Sequence, residues 1–203
     1  MEEQHDVSPP GGVYSFNSNA KFPFYKLSNF FASDVEFEGD TYPSSEHAFQ
    51  AGLFPNEQRS ILTKNGLFGS WSIEAFMHFG FNRERAEKKM KYWSKKDQIG
   101  IYAKMYANRA KNKKDIGRDK CELLFKGILM AKYTQNHQLA EILLSTRDAY
   151  LMEFDKGAQK LWENKQIKHR WAGMIVNGKV VGNNQMGALH MWTRSELEKM
   201  QKN

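Results

Sequence analysis

Tyr42-Pro43-Ser44-Ser45-Glu46-His47-Ala48-Phe49-Gln50-Ala51-Gly52-Leu53-Phe54-Pro55 is the stretch at which the chain changes its period. Before it, Val35 and Phe37 alternate with Glu36 and Glu38 around a Gly39-Asp40 turn, the two-residue period of short paired strands. After Pro43 the period is helical: Ser44 or Ser45 caps, Glu46 falls in the first turn, His47 to Phe54 follow, and Pro55 ends the helix. Glu46 and Gln50 then stand one turn apart on one face, with Phe49 and Leu53 lining an adjacent one.

Working outward, Val13–Phe16 reads as a short strand, and Ser72 precedes Ile73, Phe76 and Met77 with Gly80 as a stop. Helices are expected over about 83–93, 98–110, 119–133 and 136–145, the third with Leu123, Leu124, Ile128 and Leu129 on one stripe. Residues 174–181 form a hairpin candidate across Asn177-Gly178, and a last helix from about Met186 carries Leu189, Met191 and Trp192. These elements predict an α+β fold, mainly α, with a small sheet or hairpins. One domain over 13–203 is expected, preceded by a disordered polar tail over 1–12 that ends in Pro9, Pro10, Gly11 and Gly12.

Composition bounds the function. The 203 residues are 40% hydrophobic before the 15 glycines are added, which is enough for a packed core and excludes disorder of the bulk. No run approaches the roughly 18 apolar residues of a membrane span, and the start, with Glu2, Glu3, His5 and Asp6, lacks a basic-then-apolar leader. We therefore expect a soluble, cytoplasmic protein that does not engage membranes. Cys121 is the single cysteine, so an intrachain disulfide or a multi-cysteine zinc site is excluded. The histidines are scattered, and P-loop, zincin and serine-hydrolase signatures are missing; neither metal nor cofactor is expected.

The net charge of +7 is uneven, because residues 83–132 hold sixteen Lys/Arg against six Asp/Glu. Two readings stand side by side. Such a block attracts nucleic acid or a phosphorylated small molecule, whereas Glu84, Lys88 and Lys91 sit at spacings that decorate a solvated helix face.

The chemistry-bearing region joins Leu27-Ser28-Asn29-Phe30-Phe31 to the Tyr42–Ala51 stretch, with amides and one carboxylate set among aromatic residues. A carboxylate beside aromatic walls is a recurring way to stabilise a developing cation. The plainer reading is that Glu46 offsets the positive end of the helix dipole.

These residues resemble the NADAR family, also called YbiA-like, whose hallmarks are an L-S-N-F segment and a Y-P-[ST]-[ST]-E-H-x-x-Q-A helix. The resemblance continues through Lys132-Tyr133, Leu143-Leu144-Ser145-Thr146, Leu151-Met152-Glu153 and Trp171-Ala172-Gly173. It ends in Gly182-Asn183-Asn184-Gln185-Met186-Gly187, with Met191 and Arg194 following, so it spans about residues 13–198. The resemblance implies cleavage of an N-glycosidic bond in a phosphorylated N-riboside, of the ribosylamino-pyrimidine phosphate type of riboflavin synthesis, or in ADP-ribosylated guanine. It implies that Glu46 is catalytic, with Glu153 or Asp155 as a second carboxyl group. Asn29, Phe30, Gln50, Trp171, Gly182, Asn184 and Arg194 are the implied substrate-binding residues. Bond cleavage at an anomeric carbon develops oxocarbenium character, which a carboxylate stabilises while a second acid protonates the departing nitrogen.

Leu53 departs from the pattern, since many members carry there a lysine proposed as a covalent amine nucleophile. A family tryptophan before the central helix falls near Gly117, and the basic segment 83–114 is longer than the family minimum. The competing expectations are a non-catalytic ADP-ribose or nucleotide-binding module, and a nucleic-acid-associated protein using the basic block. The 182–187 loop is also a candidate phosphate receiver through its backbone N–H groups, aided by Arg194.

Overall fold

A computed structural model describes residues 5–6, 11–155, 170–176 and 179–202. They group into two compact units: Asn29–Asn136 forms one, and Met1–Ser28 with His137–Asn203 forms the other. Among the described residues, no helix is long and apolar enough to cross a membrane.

The Asn29–Asn136 unit opens with the antiparallel pair β3 (Val35–Phe37) and β4 (Asp40–Tyr42), in register Val35 to Tyr42 and Phe37 to Asp40. Glu38 and Gly39 make the turn with φ of 51° and 87°, the left-handed region that glycine enters without strain. Six helices follow: α1 (Ser45–Gly52), α2 (Asn56–Arg59), α3 (Ile73–His78), α4 (Arg83–Ser94), α5 (Ile101–Ala107) and α6 (Arg118–Gln135). Three N-caps are side-chain oxygens, with Ser44, Ser72 and Asn82 accepting from the backbone N–H groups of His47, Ala75 and Arg85. Tyr102 centres an aromatic cluster with Phe68, Trp71 and Phe76 at ring-centroid distances of 5.9, 5.4 and 4.8 Å. Each fully buried aromatic of this kind contributes roughly 1.5–3 kcal/mol by leaving water. The helix α1 is clamped between α5 and α6, with Phe49 stacked on Phe125 at 3.9 Å.

In the other unit β2 (Val13–Phe16) pairs in parallel with β5 (Tyr150–Glu153), bringing residues distant in sequence into register from Val13 with Tyr150 to Phe16 with Glu153. A second sheet has the order β1-β7-β6, from β1 (His5–Asp6), β6 (Met174–Val176) and β7 (Lys179–Val181). The expected 174–181 hairpin is thus present, its Asn177-Gly178 tip lying outside the described residues. His5 and Asp6 pair with Val180 and Lys179, so the expectation of a disordered tail fails at those two residues because β7 offers them an edge. The helices α7 (His137–Ser145) and α8 (Gln185–Lys202) pack on each other, and α8 also packs on β5. Leu143, Leu151, Met186 and Leu189 are buried in this core. The α+β, mainly α expectation holds.

Candidate active site around Glu46

Backbone hydrogen bonds fix Glu46 before its side chain does anything. The Glu46 N–H donates to the Asn29 carbonyl at 3.0 Å, and the Gly100 N–H donates to the Phe30 carbonyl at 2.9 Å. The Asn29-Phe30 segment is therefore held between the first turn of α1 and the start of α5. Asn29, Glu46 and Gln50 are all buried, at 5%, 6% and 2% exposure. The structure thus brings together Asn29, Phe30, Glu46 and Gln50.

The next residue, His47, serves this placement. Its Nε2 lies 3.1 Å from the Phe68 carbonyl, which only accepts, so Nε2 carries the proton and Nδ1 accepts from the Ser44 hydroxyl at 2.8 Å. Ser44 in turn accepts the His47 backbone N–H. Burial pushes the imidazole down to about 3, so it is neutral at physiological pH and is a fixed strut of the α1 N-terminus.

Gln50 donates from Nε2 to Glu46 Oε1 at 2.7 Å, the one-turn contact that the helix period predicts. Its own Oε1 is buried and has no hydrogen-bond partner among the described residues, an acceptor in reserve for a donor on a ligand. Burial pushes the Glu46 carboxyl above the ordinary carboxylate range; the charge of Lys104, the hydrogen bond from Gln50 and the charge of Lys113 pull in the other direction. A buried carboxyl balanced between these influences takes and gives protons more readily near neutrality than an exposed one does.

Lys104 and Lys113 come from the basic block, and sequence reasoning did not single them out. The available signal was the position of the block after α4, but charge spacing alone does not say which lysines turn toward α1. Most of α4 follows the solvated-face reading: Ala86 is its buried residue, and Glu84 with Lys88 and Arg83 with Glu87 are exposed i,i+4 pairs. Lys132, in the motif pair Lys132-Tyr133, is wholly buried, and burial lowers its ammonium to about 7. Leu53 is buried at 3% exposure and caps the end of α1, its carbonyl accepting the Lys114 N–H at 2.8 Å.

Glu153, Asp155, Trp171, Gly182, Asn184 and Arg194 belong to the other unit. Glu153 is half-buried and Asp155 exposed. Asn184 is committed to the fold: Oδ1 accepts the Glu153 N–H at 3.0 Å, and Nδ2 donates to the Leu151 carbonyl and the Tyr150 hydroxyl. Arg194 donates to the Thr146 hydroxyl at 2.7 Å and to the Ala149 carbonyl at 3.0 Å. The backbone N–H groups of Asn184, Gln185 and Met186 donate to the carbonyls of Ala172, Arg170 and Trp171. The expectation of a phosphate on the 182–187 loop is corrected here, since those donors and Arg194 already have protein acceptors. Trp171 lies under the Arg170 guanidinium, 4.3 Å from the ring centroid. Among the described residues, no cluster of three or more His, Cys, Asp or Glu side chains is arranged to hold a metal ion.

A buried carboxyl on a helix N-terminus, hydrogen-bonded to an amide and flanked by two cations, defines the kind of site that polar small-molecule chemistry requires. Comparison with known proteins narrows the class. No family model matches the chain. It is 28% identical over 171 residues to the N-glycosidase YbiA of Shigella flexneri serotype 5b (strain 8401), covering 84% of this chain and 80% of that one, and equally to the N-glycosidase YbiA of Shigella flexneri. Its fold is similar to the NMR structure of the E. coli protein YbiA, with a TM-score of 0.56 and 21% identity over 94% of this chain and 88% of that one. The chain is a YbiA-like protein.

Proposed function

We propose that the chain is an N-glycosidase that hydrolyses the bond between an anomeric carbon and nitrogen in a phosphorylated N-riboside. The observation that carries this reading is the Glu46–Gln50 pair: a buried carboxyl with a raised proton affinity, hydrogen-bonded and positioned by α1. The similarity to two proteins named N-glycosidase YbiA supports the reaction class.

In this reaction the C1–N bond breaks with its electron pair leaving on nitrogen, and nitrogen takes up a proton. Water forms the new C1–O bond and gives its proton to Glu46, whose carboxylate also stabilises the positive charge that builds on the sugar. Gln50 orients the carboxyl through Oε1 and offers its free amide oxygen to a sugar hydroxyl. Glu153 is the proposed second acid. Substrates of the ribosylamino-pyrimidine phosphate or ADP-ribosyl-guanine type both fit this chemistry.

The test is a panel of ADP-ribose-modified guanine, NAD and ribosylamino-pyrimidine phosphates, scored for free base by mass spectrometry. Glu46→Gln is expected to lower turnover of the preferred substrate at least ~100-fold with the fold intact. Unchanged turnover removes Glu46 from the mechanism. Absence of base release across the whole panel overturns the glycosidase reading in favour of a binding module.

A further inference from the structure

The basic block contributes more to the α1 region than solvated surface. Gly100 begins the approach: a Cβ there would stand 3.1 Å from Glu46 Cβ, so the first residue before α5 lies directly against the carboxyl-bearing side chain. Lys104 is one helical turn further along, its N–H donating to the Gly100 carbonyl at 3.1 Å. Lys113 approaches from a different segment. The loop after α5 is tied to the end of α1 where the Lys114 N–H meets the Leu53 carbonyl at 2.8 Å, and Leu53 is two helical turns beyond Glu46. Two lysines that are nine residues apart in sequence are thereby anchored along the length of α1, one from each of two packed elements.

Their charges bear on each other and on Glu46. Lys113 is lowered by burial and by the charge of Lys104, and Glu46 is the carboxylate that opposes this. Two ammonium groups facing one carboxyl leave the region positively charged whether Glu46 is ionised or neutral. Like charges at close quarters repel, and an anion placed between them relieves that repulsion. The buried, unpartnered Oε1 of Gln50 adds an acceptor in the same region for a hydroxyl carried by the same ligand. A sugar phosphate supplies both features, an anion for the lysines and hydroxyls for the amide.

We propose that Lys104 and Lys113 form an anion subsite beside Glu46 that receives the phosphate of a sugar phosphate. The proposal rests on the reading of Glu46 as the glycosidic carboxyl and adds the residues that select a phosphorylated substrate over its unphosphorylated counterpart. A phosphomonoester and a diphosphate share the chemistry, and separate probes distinguish them.

Calorimetric titration of the full chain with ribose 5-phosphate, ADP-ribose and ribose tests the subsite without reference to turnover. The double variant Lys104→Gln/Lys113→Gln is expected to weaken binding of at least one phosphorylated probe about tenfold or more, the lower range for losing a charge-assisted hydrogen bond. Ribose binding is expected to be unchanged. The control Lys88→Gln/Lys91→Gln removes the same charge from exposed positions of α4 and is expected to retain wild-type affinity. A preference for ribose 5-phosphate assigns a monoester, and a preference for ADP-ribose a diphosphate. Wild type that binds neither probe, a lysine pair whose removal changes nothing, or a control weakened equally overturns the subsite. Base release with an unchanged KM in the double variant overturns the subsite while leaving the glycosidase reading intact. Loss of probe binding in the double variant, with no base release from wild type, overturns the glycosidase reading alone.

Discussion

Gly100 and Glu46 are in direct contact, and the contact leaves no room for a side chain on Gly100: a Cβ would fall 3.1 Å from Glu46 Cβ and 2.5 Å from Phe30 Cα. The second of these neighbours is backbone and cannot turn aside. Gly100→Ala is expected to push α5 away from the Asn29-Phe30 segment and displace Glu46. A destabilisation of ~1–3 kcal/mol, the usual range for overpacking, should appear in denaturant unfolding. Turnover should fall with it; a variant with wild-type stability and activity would show that the contact does not position Glu46.

The Glu46 carboxyl has a defined pH signature. Burial raises its proton affinity in the folded chain, so its neutral form is favoured there over the value of 4.5 of a free carboxyl. The stability this gives is complete below pH 4.5 and is lost as the pH rises through the raised folded value. Glu46→Gln keeps a neutral acceptor for Gln50 and escapes that loss. Its melting temperature is expected to exceed that of wild type at pH 7, the difference shrinking as the pH is lowered toward 4. A difference that is constant across this range would contradict the buried, raised carboxyl.

Asn184 holds φ of 41° and satisfies the Glu153 N–H and the Leu151 carbonyl through its side chain. Asn184→Ala leaves both backbone groups unpaired in a left-handed conformation that alanine disfavours. A loss of roughly 2–4 kcal/mol is expected, from unsatisfied hydrogen bonds and strain together. Thermal unfolding checks it, and a melting temperature equal to wild type would remove Asn184 from the structural framework.

Leu53 places a buried aliphatic side chain where many family members resemble one another in carrying a lysine. A Schiff base at this position cannot form, so hydrolysis should proceed by direct attack of water on the sugar. Borohydride added during turnover is expected to trap no covalent sugar adduct, as read by intact-mass spectrometry. An adduct on any lysine would replace the direct-water route with a covalent one.

The local physics was legible in the chain itself. Serine before an apolar helical run, proline after it, and glycine in the tight turn specify α1 and the β3-β4 pair because capping, φ restriction and side-chain period act over a few residues. The helices over 83–94 and 118–135 followed for the same reason, as did the pairing of Glu46 with Gln50. What tertiary structure decided was which polar groups remain available. Nothing in the spacing of Asn184 and Arg194 says that their donors are already taken by Leu151, Thr146 and Ala149, since those acceptors come from more than 30 residues away. The parallel pairing of β2 with β5, the fit of Gly100 against Glu46, and the anchoring of Lys104 and Lys113 along α1 have the same origin. Each depends on close packing between segments remote in sequence, and a periodic pattern records that a face is buried without recording what buries it.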